Sequence, residues 1–381
     1  MSGTPILGRD PSTGQCIRVL IEDGTITSIE ECEQTTDLWI SAGLIDLQVN
    51  GYAGLDVNRE DVIPNTVIDL VQAMLATGVT CFAPTIITAP EATILRNLRA
   101  IADARKRDSR SAACIPFIHV EGPHISPVDG YRGAHSREFV RPPSLAEFER
   151  WQVASGGLVG LVTLSPHFDQ SDEYISALVS RGVHVAIGHT HASPEQIQNA
   201  VDAGARLSTH LGNGIPQQIA RHPNPIWSQL ADDRLSASFI ADSHHLPAET
   251  LKAMVRAKGL ERSLLVSDTV ALAGMPPGVY TAPVGGRVEL SPSGRLSMEG
   301  TTTLAGAAIP LVHCIGEAVR MTGFSLPEVL SMATANPGRF ARGRGLLQEG
   351  ARADLIRFRW TSEIAIHDVW LAGELVHQES A

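Results

Sequence analysis

Carboxylate and imidazole side chains recur at the ends of short apolar runs in this 381-residue sequence. Glu121 ends the run CIPFIHVE, His189 ends HVAIGH, and His210 ends RLSTH. One carboxylate oxygen and two imidazole nitrogens leave the fourth position of a tetrahedral metal open for water, which is the ligand pattern of catalytic zinc sites. These residues predict a hydrolytic metal centre. The alternative is a set of structural polar residues at strand ends.

Two aspartates end later runs of the same kind. Asp242 ends LSASFIAD, and Asp268 ends SLLVSD. A carboxylate beside a metal-activated water can accept a proton from it and later donate that proton to the leaving group. We assign this acid–base role to Asp268. The alternatives for this residue are a fourth metal ligand and the N-cap of a following helix.

The first apolar run, GLIDLQVN, carries two carboxamides. Gln48 and Asn50 are two residues apart, so in a strand their side chains point to the same face. Carboxamides lack the imidazole donors that tight transition-metal sites use. They still donate and accept hydrogen bonds, so we expect them to contact a water, a ligand carboxylate or the substrate.

Eight short apolar runs must position these residues. Helix-like segments such as NTVIDLVQAMLATG and PAETLKAMVRAKG separate the runs, which are GLIDLQVN, VTCFAPTII, CIPFIHVEG, GLVGLVTLSP, HVAIGHTH, RLSTHLGN, LSASFIAD and SLLVSD. Strands that alternate with helices indicate a parallel sheet, and eight such units predict a closed TIM-type (β/α)8 barrel with its chemistry at the carboxyl ends of the strands. The alternative, an open doubly wound sheet, lacks support because no run is followed by a GxGxxG turn.

Both chain ends have a different, antiparallel pattern. CIRVLIEDGTITSIE is a hairpin candidate with its turn at Asp23-Gly24, and the last thirty residues turn in the same way near Ala372-Gly373. We therefore predict an α/β fold: a barrel over residues 43–345 and a small β-sandwich domain built from residues 1–42 and 346–381.

Charge and composition limit the partners and the compartment. The formal net charge of −11 argues against nucleic acid or an anionic membrane as the main partner. The N-terminus lacks the pattern of a signal peptide, and no apolar stretch reaches the length of a membrane span. Five cysteines without CxxC spacing are typical of free buried thiols in a reducing cytoplasm: Cys16, Cys32, Cys81, Cys114 and Cys314. We predict a cytoplasmic protein.

The order of the motifs resembles that of the N-acetylglucosamine-6-phosphate deacetylases, in the amidohydrolase superfamily. The matching segments are LIDLQVNG, HVEGPH, GAHSR, AIGHTHAS, STHLGNG, FIADSHH, VSDT and GTTTLAGA. The resemblance implies that Glu121, His189 and His210 bind one catalytic divalent metal, zinc in the first place, with iron, cobalt or manganese as alternatives. It also implies that Asp268 acts as general base and then as general acid.

The same resemblance implies a substrate and the residues that bind it. The substrate would be a phosphorylated amino sugar, N-acetylglucosamine 6-phosphate, hydrolysed to glucosamine 6-phosphate and acetate. His135 in GAHSR would orient and polarise it, and Asn213 with Gly214 would contact its phosphate. Arg221 and His245 would hold that phosphate, with the arginine reaching across the interface of a homodimer. The alternative for Arg221 is a solvated loop charge.

Several positions depart from the family or superfamily pattern. Many superfamily members have His-x-His where this chain has Gln48 and Asn50, so the two carboxamides indicate a vacated second-metal site. Gly214 replaces the usual alanine, His167 stands where the family tends to have glutamate, and the loop QQIARHPNPIWSQLADD is unusual. These departures leave the reaction class intact and the exact sugar open. The alternatives to the implied function are a related N-acyl amino sugar, a cyclic amide or lactone as substrate, and a non-enzymatic sugar-phosphate sensor.

Overall fold

Eight parallel strands form a barrel at the centre of the molecule. The computed structural model describes residues 5–282 and 286–379. We label the barrel strands β1 to β8 in chain order: Leu44–Val49, Val79–Ile87, Ile118–Glu121, Val159–Leu164, His184–Ile187, Leu207–Ser208, Ser236–Phe239 and Ser263–Leu265. Each strand pairs with the next one along the chain. A parallel bridge between Val49 and Thr269 joins the segment after β8 to β1 and closes the ring.

A helix follows each barrel strand. These helices, α1 to α8, are Pro64–Ala76, Glu91–Arg107, Leu145–Ser155, Ser171–Val179, Pro194–Asp202, Pro225–Ala231, Ala248–Lys258 and Leu311–Thr322. In α1 the buried residues Val67, Leu70, Val71 and Met74 recur at helical spacing, which gives the helix one apolar face for the barrel. Shorter helical segments are Ser109–Cys114, Arg137–Phe139, Leu260–Arg262, Leu326–Ala333 and Ala335–Gly338.

Apolar side chains fill the interior of the barrel. Inward-pointing residues of the strands form one buried cluster, which includes Ile45, Leu47, Cys81, Ala83, Leu161, Ala186, Leu207 and Leu264. A filled barrel is a packed core and not a pore, so ligands have access to it only at its ends. The polar residues singled out in the sequence lie at the carboxyl ends of the strands.

Both chain ends contribute to one seven-stranded sheet. In sheet order its strands are Glu374–Gln378, Ile364–Leu371, Leu355–Trp360, Trp39–Ala42, Ile6–Arg9, Cys16–Glu22 and Thr25–Glu31. The turns predicted at Asp23-Gly24 and Ala372-Gly373 connect two of its hairpins. Its own core contains Val19, Ile26 and Leu355, all without solvent exposure. The predicted fold class is confirmed, while the domain boundaries stay a prediction.

Small sheets follow two of the barrel strands on the carboxyl side. Gly51–Tyr52 and Leu55–Asp56 pair directly after β1. Three antiparallel strands lie between β8 and α8: Gly278–Ala282, Gly286–Leu290 and Leu296–Met298. Among the described helices, none combines the length and the apolar character that crossing a bilayer requires.

Candidate active site

Three predicted metal ligands meet at the carboxyl end of the barrel. Glu121 is the last residue of β3, and His189 and His210 each lie two residues beyond the end of a strand, β5 and β6. The Glu121 Oε1 atom is 3.0 Å from His210 Nε2 and 3.4 Å from His189 Nε2. All three side chains are buried, and one donor atom from each lies within 4.8 Å of the other two. This cluster could hold a metal ion.

The chemistry of the donors fits a cation. His189 Nδ1 lies 3.0 Å from the Tyr131 carbonyl oxygen. A carbonyl only accepts, so Nδ1 carries a proton and Nε2 faces the Glu121 carboxylate. A bare Nε2 would repel the carboxylate at this distance, so either a proton or a metal ion lies between the two atoms. A carboxylate and two imidazoles suit a divalent metal such as zinc, and the Tyr131 carbonyl orients His189 as an outer partner orients a ligand.

The electrostatics of the cluster also favour a positive charge. Burial by itself raises the pKa of Glu121, but the hydrogen bonds and charges of His189 and His210 outweigh burial and hold that pKa well below its ordinary value. Burial lowers the pKa of His210, yet its hydrogen bond to Glu121 prevails and raises it to about 9. Without a metal, the cluster therefore retains a proton close to Glu121.

Gln48 and Asn50 each hold one of the carboxylates. Gln48 Nε2 donates to Glu121 Oε1 at 3.0 Å, and Asn50 Nδ2 donates to Asp268 Oδ1 at 2.8 Å. The structure thus brings both carboxamides to the centre as hydrogen-bond donors to acidic side chains. Their interpretation as a vacated second-metal site stays a prediction.

Asp268 lies on the segment that closes the barrel against β1. Its backbone N–H donates to the Gln48 carbonyl oxygen at 3.0 Å. Burial, together with the charge of Glu121, raises the pKa of Asp268 to about 6. Residues 269–282 form no helix, so the N-cap alternative is wrong. The side chain lies outside the three-donor group, which favours an acid–base role over a fourth ligand.

Three of these residues have an unusual backbone conformation. The φ angles of His189, His210 and Asp268 are +48°, +29° and +51°. Residues with a Cβ rarely adopt positive φ, and such strain concentrates at functional sites. The conformation turns each side chain sharply at the end of its strand.

His135 lies beside the cluster as a neutral ring. Its Nδ1 is 2.9 Å from Thr88 Oγ1, and its Nε2 is 3.9 Å from Glu121 Oε2. Burial, and then the charge of His189, lowers the pKa of His135 to about 3. The ring is therefore uncharged at neutral pH and can donate one hydrogen bond towards a substrate near the cluster.

The predicted phosphate-binding residues are distributed around the mouth of the barrel, at the carboxyl ends of its strands. His245 Nδ1 is 2.7 Å from Asp242 Oδ2, and Asp242 also accepts from the His245 backbone N–H. Asn213 Nδ2 donates to the His210 carbonyl oxygen at 3.2 Å, within its own turn. Arg221 is exposed on the loop between β6 and α6.

Gly214 packs directly against a predicted metal ligand. Its φ is +61°, and a Cβ at this position would lie 2.6 Å from His189 Nδ1. Glycine at this position, where the resemblance leads us to expect alanine, therefore has a structural reason in this chain. A methyl group would displace the imidazole.

A second histidine pair lies next to the cluster. The sequence leaves the role of His191 open, and it leaves substrate or metal contact open for His167. The rings of His167 and His191 are 4.3 Å apart, and each Nδ1 contacts a serine hydroxyl, Ser165 at 2.7 Å and Ser126 at 2.6 Å. The Ser126 backbone N–H donates to the His189 carbonyl oxygen at 2.9 Å. His167 does not join the three-donor group. His191 instead contacts the turn that carries His189, through Ser126.

Sequence comparisons show which known proteins this chain is similar to. The amidohydrolase family model matches residues 39–376. An N-acetylgalactosamine-6-phosphate deacetylase of Escherichia coli is 31% identical over 364 residues, covering 93% of each chain. The N-acetylglucosamine-6-phosphate deacetylase of Rattus norvegicus is 32% identical, covering 89% of this chain and 83% of that one.

A solved structure is also similar to this chain over its whole length. A mutant N-acetyl-D-glucosamine-6-phosphate deacetylase of Mycobacterium smegmatis, in complex with N-acetyl-D-glucosamine-6-phosphate, superposes with a TM-score of 0.86 at 27% identity. The match covers 98% of this chain and 100% of that chain. With the family model spanning most of the sequence, the chain belongs to the amidohydrolase family.

Proposed function

We propose that this protein is a metal-dependent deacetylase that hydrolyses the N-acetyl amide of an amino-sugar 6-phosphate. N-acetylglucosamine 6-phosphate is the first candidate substrate, with glucosamine 6-phosphate and acetate as products. The observation that carries the proposal is the buried Glu121–His189–His210 cluster beside Asp268 at the mouth of the barrel. The names of the relatives support the substrate class.

Glu121, His189 and His210 would hold one divalent ion, with zinc as the first candidate and iron, cobalt or manganese as alternatives. When bound, such an ion polarises a carbonyl group and lowers the pKa of a water. The Gln48 N–H already points at Glu121, and the Asn50 N–H points at Asp268. These donors favour a single ion because a second cation would have to displace them.

Asp268 performs both proton transfers in the proposed reaction. Its carboxylate takes a proton from the attacking water, whose oxygen bonds to the acyl carbon. The protonated Asp268 then donates to the amide nitrogen as the C–N bond breaks, so that the amine leaves in neutral form. Asn50 holds the carboxylate during both steps. His135, as a neutral donor, stabilises the oxyanion of the tetrahedral intermediate.

Phosphate binding positions the amide for attack. Asp242 holds the Nδ1 of His245 and leaves the other ring nitrogen for the phosphate, beside the Asn213-Gly214 turn. Arg221 is exposed in one chain, so we assign it to the mouth of the other subunit in a homodimer. A phosphorylated sugar substrate is also consistent with a cytoplasmic protein, because a phosphate ester does not cross a bilayer unaided.

A substrate screen on the metal-loaded enzyme tests the proposal. The panel is N-acetylglucosamine 6-phosphate, its galactose and mannose epimers, and unphosphorylated N-acetylglucosamine. A cyclic amide and a lactone represent the alternative amidohydrolase reactions. We expect acetate release from a 6-phosphorylated hexosamine, with kcat/KM about 100-fold or more above the unphosphorylated sugar. The galactose epimer is the second candidate because a relative of similar length bears that name.

Three outcomes contradict the proposal in different ways. Turnover of the cyclic amide or lactone alone assigns the site to another amidohydrolase reaction. Binding of metal and sugar phosphate without turnover indicates a sensor. Absence of acetate release from every 6-phosphorylated hexosamine, with metal content measured on the same sample, overturns the substrate class.

A further inference from the structure

Two cysteines meet across neighbouring strands of the small sheet. Cys16 begins the strand Cys16–Glu22, Cys32 follows the strand Thr25–Glu31, and their Sγ atoms are 3.3 Å apart. Ile17 pairs with Glu31, and the Cys32 N–H donates to the Cys16 carbonyl oxygen at 3.0 Å, so the two cysteines lie directly opposite each other.

This arrangement corrects the expectation of separate buried thiols. Both Cys16 and Cys32 are partly exposed, whereas the remaining three cysteines are buried: Cys81, Cys114 and Cys314. Directly opposed residues of this kind have Cα atoms about 5.5 Å apart, which lies inside the range of roughly 4.4–6.8 Å that disulfides span. Rotation of the two side chains is therefore sufficient to form a bond, without movement of the strands.

The pair also faces a cleft. Cys16 and Cys32 line a cleft of about 510 Å³ together with Arg9, Glu31 and Glu33. Clefts of roughly 300–1,000 Å³ bind small molecules, and the charges of both signs in this cleft suit a ligand that carries carboxylates and ammonium groups, as glutathione disulfide does. We infer that Cys16 and Cys32 form a thiol–disulfide exchange site, which accepts small carboxylate-bearing disulfides of the glutathione type and closes into an intramolecular disulfide.

The exchange proceeds in two balanced steps. The thiolate of one cysteine attacks a sulfur of glutathione disulfide, breaks its S–S bond and releases one glutathione. The thiolate of the second cysteine attacks the mixed disulfide at the first cysteine and releases another glutathione. The two cysteine protons end on the released glutathiones. The cysteine pair is oxidised by two electrons, and the glutathione disulfide is reduced by two.

The site lies in the small sheet and is independent of the proposed deacetylase reaction. The strand Thr25–Glu31 is an edge strand of the sheet, paired only with Cys16–Glu22 among the described strands. A Cys16–Cys32 bond ties this edge strand to its neighbour and closes a short loop, which stabilises the hairpin against local unfolding. Burial, and then the hydrogen bond with Cys32, raises the pKa of Cys16, so exchange accelerates as the pH rises above neutral.

Thiol counting and intact mass on the full-length enzyme test the inference. In the reduced folded protein we expect two thiols to react rapidly with a chromogenic disulfide reagent, while the buried cysteines stay protected. After incubation with glutathione disulfide, both reactive thiols disappear. The mass falls by two hydrogens with no bound glutathione, and a non-reducing digest links the peptides of Cys16 and Cys32.

Single variants separate exchange from simple surface oxidation. Cys16→Ser and Cys32→Ser each retain one glutathione as a stable mixed disulfide, because the second thiol is missing. Wild-type protein that keeps bound glutathione, a linkage to any other cysteine, or two thiols that stay reduced each overturn the inference. We expect deacetylase activity to be unchanged by the oxidation, so failure of this test leaves the proposed function untouched, and failure of the proposed function leaves this inference untouched.

Discussion

At the scale of single residues, the carboxylate of Asp268 is the group with the most specific assignment. It is buried, lies outside the three-donor cluster and is held by Asn50 at 2.8 Å. Asparagine is close in size to aspartate but cannot carry a proton between two reacting atoms. Substitution at this position therefore separates proton transfer from metal binding.

We expect Asp268→Asn to lower kcat by about 100- to 10,000-fold while the metal content per chain stays the same. Acetate release and elemental analysis on one sample measure the two quantities. Asp61→Asn, at an exposed position, is the matched control and keeps wild-type values. An Asp268→Asn enzyme with most of its activity would show that the proton takes another path.

Gly214 offers a second test at the scale of single residues, because the reason for a glycine at this position is steric. We expect Gly214→Ala to lower metal affinity and activity, since a Cβ would lie 2.6 Å from His189 Nδ1. Gly156 has a similar φ of +65°, and no atom lies within 4 Å of the place where a methyl group would stand, so Gly156→Ala is the control for backbone strain. Each variant loses about 1 kcal/mol of stability from positive φ. Equal metal retention in the two variants under chelator challenge would contradict the steric explanation.

At the scale of elements, the strand ends can be predicted from the sequence and the loops cannot. Glu121, His189 and His210 follow apolar runs whose length and helical spacers indicate barrel strands. Tyr131 and Ser126 lie on the loop after β3, and their contacts with the His189 turn depend on how that loop folds back. Loops follow no periodic pattern, so sequence periodicity carries no signal for such contacts.

The contact of His191 with the His189 turn gives an element-scale prediction. His191 contacts Ser126, whose N–H bonds the His189 carbonyl oxygen. We expect His191→Ala to weaken metal binding by about 10- to 100-fold, as loss of an outer support does in other metal sites. His313→Ala, at an exposed position on α8, is the control. Metal release to a chelator measures the effect, and release at the wild-type rate would exclude a supporting role.

At the scale of the whole molecule, alternation of strands and helices is enough to predict the barrel, but not the contacts that close it. The bridge from Val49 to Thr269 and the hydrogen bond from Asp268 to Gln48 join the two ends of the barrel sheet. Pairing between residues so far apart along the chain produces no local pattern in the sequence. The meeting of Cys16 with Cys32 escapes prediction for a related reason, because their spacing matches no cysteine motif.

Asp46 links the closed barrel to pH-dependent stability. Its Oδ1 accepts from the Gln48 and Ser267 backbone N–H groups, and its Oδ2 has no partner among the described residues. Burial raises the pKa of Asp46 from 3.8 to about 7. The folded state thus binds the proton more tightly than the unfolded state. This difference in proton binding contributes at most on the order of 4 kcal/mol to the free energy of unfolding. The contribution is fully present below pH 3.8 and is lost as the pH rises from 3.8 through 7.

Asp46→Asn should remove this pH dependence. We expect the urea midpoint of the variant, relative to wild type, to increase from about pH 5 to about pH 7 and then to level off, because only the wild type must ionise a buried carboxyl group. Metal-free protein is used for both, so that pH-dependent metal binding does not contribute. A midpoint difference that is constant over this range would show that Asp46 does not titrate as described.

The exposed Arg221 makes the proposed homodimer testable through hybrid enzymes. If Arg221 acts in the neighbouring subunit's mouth, Arg221→Ala and Asp268→Asn each inactivate every site of their own homodimer. In a hybrid dimer, the site with an intact Asp268 receives an intact Arg221 from its partner. Random pairing in equal amounts gives half hybrids with one restored site each, so co-expression should recover about one quarter of wild-type activity. If Arg221 acts within its own chain, no hybrid site is complete and the mixture stays inactive.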